Sequence, residues 1–147
     1  MGVFMSRLRA FASVSPEEDV AAVKECIKGF WGQADLRKEE RDKYALDDCM
    51  LIRPTGNPMT MALMDGMLDS TDISVELQEV TEFHHVDVSG DRAFTCFSQH
   101  AKFSFKGTPN DDLAVFTAYL HRTPAGWRVA YAQRSSGRAP TDDKPSF

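Results

Sequence analysis

The sequence predicts an α+β fold, with helices first and an antiparallel sheet after them. Apolar residues recur at helical spacing between Val20 and Trp31, and from Ile73 onward the hydrophobic period changes to two. Clusters of Gly, Pro, Asn and Asp then divide the second half into long strand-like runs, so helix signals and strand signals occupy separate parts of the chain.

The first helix opens at Ser15-Pro16-Glu17-Glu18, where a serine cap, a proline in the first turn and a glutamate three residues after the cap coincide. Val20, Val23, Ile27, Phe30 and Trp31 give it one apolar stripe, and Gly32 offers a stop. Leu36 to Tyr44 reads as a short, charged, solvent-facing helix, and Leu46 to Arg53 as an extended piece. Pro54-Thr55-Gly56-Asn57-Pro58 is a turn, and Met59 to Leu68 forms a third helix whose methionines fill core space. Strands are expected near 74–88, 92–106, 113–123 and 126–136. Tight hairpins fall at Ser89-Gly90-Asp91 and Pro124-Ala125-Gly126, and a longer loop at Gly107 to Asp111.

One domain accommodates the 147 residues, expected over 15–137, with 1–14 as a flexible, targeting or anchoring segment and 138–147 as a mobile tail. A net charge of −5 argues against a general nucleic-acid partner, whose phosphates need a basic surface. Cys26, Cys49 and Cys96 are odd in number and widely spaced, which gives neither a disulfide framework nor a metal pattern and suits a reducing, cytoplasmic compartment. No apolar run reaches membrane-spanning length. Met1-Gly2-Val3-Phe4-Met5-Ser6 nevertheless fits an N-myristoylation signal at Gly2, with Arg7 and Arg9 placed to meet anionic lipid, so weak membrane association or an organellar address are the alternatives.

Parity along the strands assigns side chains to faces. A five-residue loop after Lys106 would set Phe97 opposite His121, and would gather Ser98, His100, Ala118 and Arg134 on one face. Small Ala118 between a histidine and an arginine leaves a hollow there. Such a hollow suits a small organic anion or a peptide carboxylate, because guanidinium pairs bidentately with carboxylate and histidine titrates near neutral pH. Tyr44 and Arg53 would close it from the helix side. The bland alternative is that Arg134 pairs internally with a carboxylate such as Glu79 or Asp48. Asp48, beside Asp47, is a candidate general base, with His100 and Tyr44 as the other catalytic candidates. His84-His85 makes a poor metal pair, since adjacent strand residues point to opposite faces, and no metal site or cofactor is implied. The nucleophile elbow, the P-loop and the dinucleotide glycine motif are missing from the sequence. Both sheet faces carry too much apolar surface to remain in water, so one should meet the helices and the other a second protomer.

Phe30-Trp31 followed by Tyr44 and Asp47-Asp48, the Ser89-Gly90-Asp91 hairpin, and the ending Gly126-Trp127-Arg128-Val129-Ala130-Tyr131-Ala132-Gln133-Arg134-Ser135-Ser136-Gly137 resemble the nuclear-transport-factor-2-like superfamily. Within it the chain is similar to the SnoaL-like group that includes the association (hub) domain of calcium/calmodulin-dependent protein kinase II. The resemblance implies a cone-shaped, cystatin-like sheet with the helices in its concave face, an internal pocket, and homodimers formed through the sheet. In hub domains basic residues line that pocket, and the closing arginine matches Arg134; His100 stands where another pocket arginine would, and Ala118 replaces a further one. Iota-class carbonic anhydrases share the architecture, but Gln133-Arg134-Ser135-Ser136 keeps their serines without their histidines. Ketosteroid-isomerase-like and polyketide-cyclase-like relatives imply a pocket acid with a tyrosine or histidine, parts that Asp48, Tyr44 and His100 would take. The resulting expectation is a homo-oligomeric binding or assembly domain, with an isomerase, cyclase or lyase as the alternative and a structural subunit of a larger complex as a further one.

Overall fold

The structure, a computed structural model, describes residues 14–142, so the lipidation candidate Gly2 lies outside the described residues. Helix α1 (Pro16–Trp31) starts as its cap predicts: the Ser15 hydroxyl accepts from the Glu18 N–H at 3.1 Å. Glu17, Glu18 and Asp19 then place negative charge in the first turn, where the helix dipole favours it. Val23, Cys26, Ile27, Phe30 and Trp31 are its buried face.

The charged segment after α1 forms a 3-10 helix over Lys38–Lys43 with no buried residue. Strand β1 (Ala45–Ile52) follows, then the short β2 (Pro58–Thr60), where the sequence suggests the end of a turn and the start of a helix, and helix α2 (Met61–Asp69), capped by the Thr60 hydroxyl. Strands β3 (Ile73–Ser89), β4 (Arg92–Phe105), β5 (Thr108–Thr123) and β6 (Gly126–Arg134) complete one six-stranded sheet in the order β2-β1-β6-β5-β4-β3. β1 runs parallel to β6, and every other pairing is antiparallel. Register shifts interrupt β3 three times, and bulges of this kind bend a strand around a core. After β6 the chain continues along β5 as far as Arg138, which pairs with Leu113.

The core is aromatic. Trp31 reaches from α1 to Phe97 and Phe116, with ring centroids at 5.2 and 5.3 Å, and these two phenylalanines stack on each other. Phe83 adds a fourth ring against Phe97. Two buried polar side chains of this layer are paired: Gln99 donates to the Trp31 carbonyl at 2.7 Å, and Thr95 to that of Ala118 at 3.2 Å. Arg41 ties the 3-10 helix to α2 through a two-pronged contact with Asp65, at 3.0 and 2.9 Å, and to β1 through Asp47.

The expected loop at Gly107 to Asp111 is absent. Lys106 and Gly107 both have positive φ, 50° and 84°, which makes a two-residue hairpin turn, and β5 begins at Thr108. Phe97 therefore lies opposite Phe116, not His121. Displacing the register by an odd number of residues sends a strand's side chains to the other face, so the faces expected for β4 relative to β5 and β6 are overturned.

Candidate functional site

The corrected register separates the residues expected to share a chamber. Arg134 lies on the inner, helix-covered face opposite Phe116, and its Nη2 stands 3.4 Å from Asp112 Oδ2. It pairs internally, with Asp112 and not with Glu79 or Asp48. His100 and Ser98 lie on the outer face, where His100 Nε2 is 2.6 Å from Asp111 Oδ1 and Ser98 Oγ is 2.6 Å from His84 Nε2. Ala118 is 0% exposed, flanked by its partners Thr95 and Ala132, and forms part of the packed core instead of a hollow.

The other candidates also disperse. Tyr44 presses its ring against Gly29 of α1, and its carbonyl accepts from the Val129 N–H at 2.7 Å, at the opposite end of β6 from Arg134. Arg53 is exposed in the turn after β1, where its Nε donates to the Asn57 carbonyl. Asp48 is exposed on β1. Neither catalytic trio nor anion cradle is assembled from Asp48, His100, Tyr44, Ser98 and Arg53. His84 sits at a shift in the β3 register, so it and His85 are both drawn to the outer face, contrary to the alternation expected of neighbouring strand residues.

Chemically, the His84–Ser98 contact has the form of a base and a hydroxyl, with Glu82 Oε1 3.8 Å from His84 Nδ1. It lies in open strand surface, between β3 and β5. Burial pushes the thiols of Cys26 and Cys49 up to about 12, against a pull from Arg128 on the first and with Asp48 adding to the second. Both are inert packing residues. Among the described residues no group of three or more His, Cys, Asp or Glu side chains converges on a metal position, and no helix is long and apolar enough to cross a membrane.

What the sequence reading missed is which residues share the outer face. Phe94, Tyr119 and Tyr131 are directly opposed across β4, β5 and β6, with centroids 5.1 and 6.3 Å apart. Val115 and Tyr119 are 42% and 51% exposed in mid-sheet. A groove of about 660 Å³, lined by Ser74, Glu76, Lys102, Ser104 and Asp111 among others, opens where β3, β4 and β5 meet the turn at Lys106 and Gly107. The signal that would have revealed this face was the Lys106-Gly107 pair, read as a hairpin turn.

The family model described as "Protein of unknown function (DUF3804)" matches residues 22–143. A solved NTF2-like protein of unknown function from Prochlorococcus marinus is 31% identical, with 85% of this chain and 95% of that one covered at a TM-score of 0.66. The chain is an NTF2-like protein of the DUF3804 family. This NTF2-like protein also shares its fold with a candidate calcium/calmodulin-dependent kinase II association domain from Exiguobacterium sibiricum, at 14% identity, 86% and 97% coverage and a TM-score of 0.70. A ketosteroid isomerase-like protein from Erwinia carotovora atroseptica is 18% identical, with 84% and 98% covered and a TM-score of 0.64. At those identities the likeness extends to the fold alone. None of the curated proteins searched matches this NTF2-like chain.

Proposed function

We propose that this NTF2-like protein is an assembly module that forms a homodimer through the outer face of its sheet. The observation that carries the reading is the exposure of Tyr119 and Val115 in the middle of a sheet whose opposite face is already the core. An aromatic row flanked by polar strand residues is the composition of an interface, since aromatic side chains supply large contact area at low entropic cost. The inner face supports the same reading: Trp31, Phe97 and Phe116 fill the cone where a catalyst would keep ligand-sized space, and Asp112 answers the charge of Arg134. The expectation of a carboxylate ligand held by His100 and Arg134 loses its geometric basis once they stand on opposite faces.

Sedimentation velocity across a dilution series tests the proposal. The wild type is expected to sediment as a dimer and Tyr119→Asp as a folded monomer, because an unpaired carboxylate buried at the contact is strongly disfavoured. A wild type that stays monomeric up to about 100 μM, roughly the upper range of weak specific association, would overturn it.

A further inference from the structure

We propose that the groove at the Lys106-Gly107 end of the sheet binds a small zwitterion of the amino-acid or short-peptide class, its carboxylate held by Lys102 and its ammonium by Glu76. The site lies at the opposite end of β4 and β5 from the aromatic row of Phe94 and Tyr119, and its lining comes from one copy of the chain.

Strand pairing builds the groove. Ser74 opposes Ser104, which opposes Pro109, and two residues along β4 Lys102 opposes Asp111, so these side chains share the outer face of β3, β4 and β5. Glu76 stands at the register shift between Val75 and Leu77, where β3 carries one residue more than β4. A bulge of this kind re-aims a side chain, and here Glu76 joins the groove lining. The volume of about 660 Å³ is that of a small-molecule site, for which roughly 300–1,000 Å³ is usual.

The charges decide the ligand. Asp111 directly faces Lys102 across the ladder, yet its Oδ1 lies 2.6 Å from His100 Nε2, so the carboxylate best placed to neutralise Lys102 is turned toward the neighbouring row. Among the described residues, neither the side chain of half-buried Lys102 nor that of exposed Glu76 has a hydrogen-bond or ion-pair partner. Two opposite charges left open in one groove match a ligand that carries both. An anion would gain Lys102 and the hydroxyl donors of Ser74 and Ser104, but would meet like charge at Glu76; a cation would meet it at Lys102. A zwitterion satisfies both ends, and Phe103 and Pro109 add apolar lining for its carbon atoms.

NMR shift titrations of the folded protein with glycine and with diglycine test the site. Saturable shifts confined to residues near 74–76, 102–104 and 109–111 are expected with at least one of them, half-saturated at or below about 5 mM, the weak end of specific binding. Glycinamide and N-acetylglycine each lack one of the two charges and should bind at least about tenfold more weakly. Lys102→Gln and Glu76→Gln should each weaken the zwitterion at least about tenfold, whereas Glu79→Gln, at an exposed acid of β3 outside the groove, should bind as wild type. Circular dichroism checks that each variant keeps its fold. The absence of a saturable shift with either compound up to about 20 mM overturns the site. N-acetylglycine binding as tightly as the zwitterions, or equal losses from Glu79→Gln and Glu76→Gln, overturns the assignment of the two charged ends.

Discussion

Phe97 and Phe116 face each other directly across β4 and β5, their rings parallel to within 5° at 5.1 Å, and Trp31 of α1 closes over both. This contact joins the helix layer to the sheet and fixes which face of each strand looks inward. Phe97 is fully buried, so Phe97→Ala leaves a cavity lined by three aromatic side chains that cannot collapse into it. A loss of about 3–5 kcal/mol is expected in urea unfolding. Tyr119→Ala, on the outer face, should cost the monomer less than about 1 kcal/mol, and equal losses would mean that the two faces are wrongly assigned.

The turn that sets this register should be sensitive to its own chemistry. Gly107 has φ of 84° with open space where a Cβ would stand, so the cost of substitution there is conformational and not steric. Gly107→Ala is expected to destabilise by about 1–2 kcal/mol and Gly107→Asn by distinctly less, because asparagine tolerates the left-handed region. Melting temperatures of the two variants decide it.

The same turn explains how much of the molecule was legible. Ser15 and Pro16 announced α1, the change of period announced the strands, and the ending from Trp127 pointed to the family, because each is a local signal with a local cause. The site was not legible, because it depended on a register. Thr108-Pro109-Asn110-Asp111 has loop composition but lies within β5, where the pairing with β4 overrides local propensity. That one misreading placed His100 and Arg134 together. The shift at β3 that brings His84 to Ser98 has no sequence signature at all.

Gly29 shows the opposite behaviour from an ordinary helix glycine. Alanine would normally gain about 0.8–1 kcal/mol of helix propensity, but a methyl group here runs into the Tyr44 ring. Gly29→Ala is therefore expected to destabilise by about 1–3 kcal/mol. In a Tyr44→Ala background the same substitution should become neutral or stabilising, a coupling that a double-mutant cycle of unfolding free energies reads directly.

Acid should weaken the joint between the 3-10 helix and α2. The Arg41 guanidinium holds the Asp65 carboxyl below its ordinary range. A depressed carboxyl contributes stability that is present above its unfolded value, near 3.9, and is lost as pH falls through the folded value. Asp65→Asn is expected to cost about 1–2 kcal/mol at neutral pH and to flatten the fall in melting temperature below about pH 4. A variant with the wild-type acid profile would show that the pair contributes nothing.

Alkali should act through the two buried thiols. Cys26 lies 3.3 Å from the carbonyls of both Tyr44 and Trp127, and it and Cys49 are held up to about 12 by burial. Unfolded cysteine ionises near 8.5, so the folded state keeps protons that the unfolded chain releases. Stability is complete below about pH 8.5 and declines as pH rises toward the folded values, by up to about 1.4 kcal/mol per pH unit for each thiol. Cys26→Ala is expected to remove part of that slope. A thiol reagent at pH 8 should label Cys26 and Cys49 no faster than the protein unfolds, whereas Cys96 on the outer face should react quickly in dilute monomer and be protected as the dimer forms. Rapid labelling of all three cysteines at concentrations where the dimer has formed would contradict both the burial of the first two and the covering of the third.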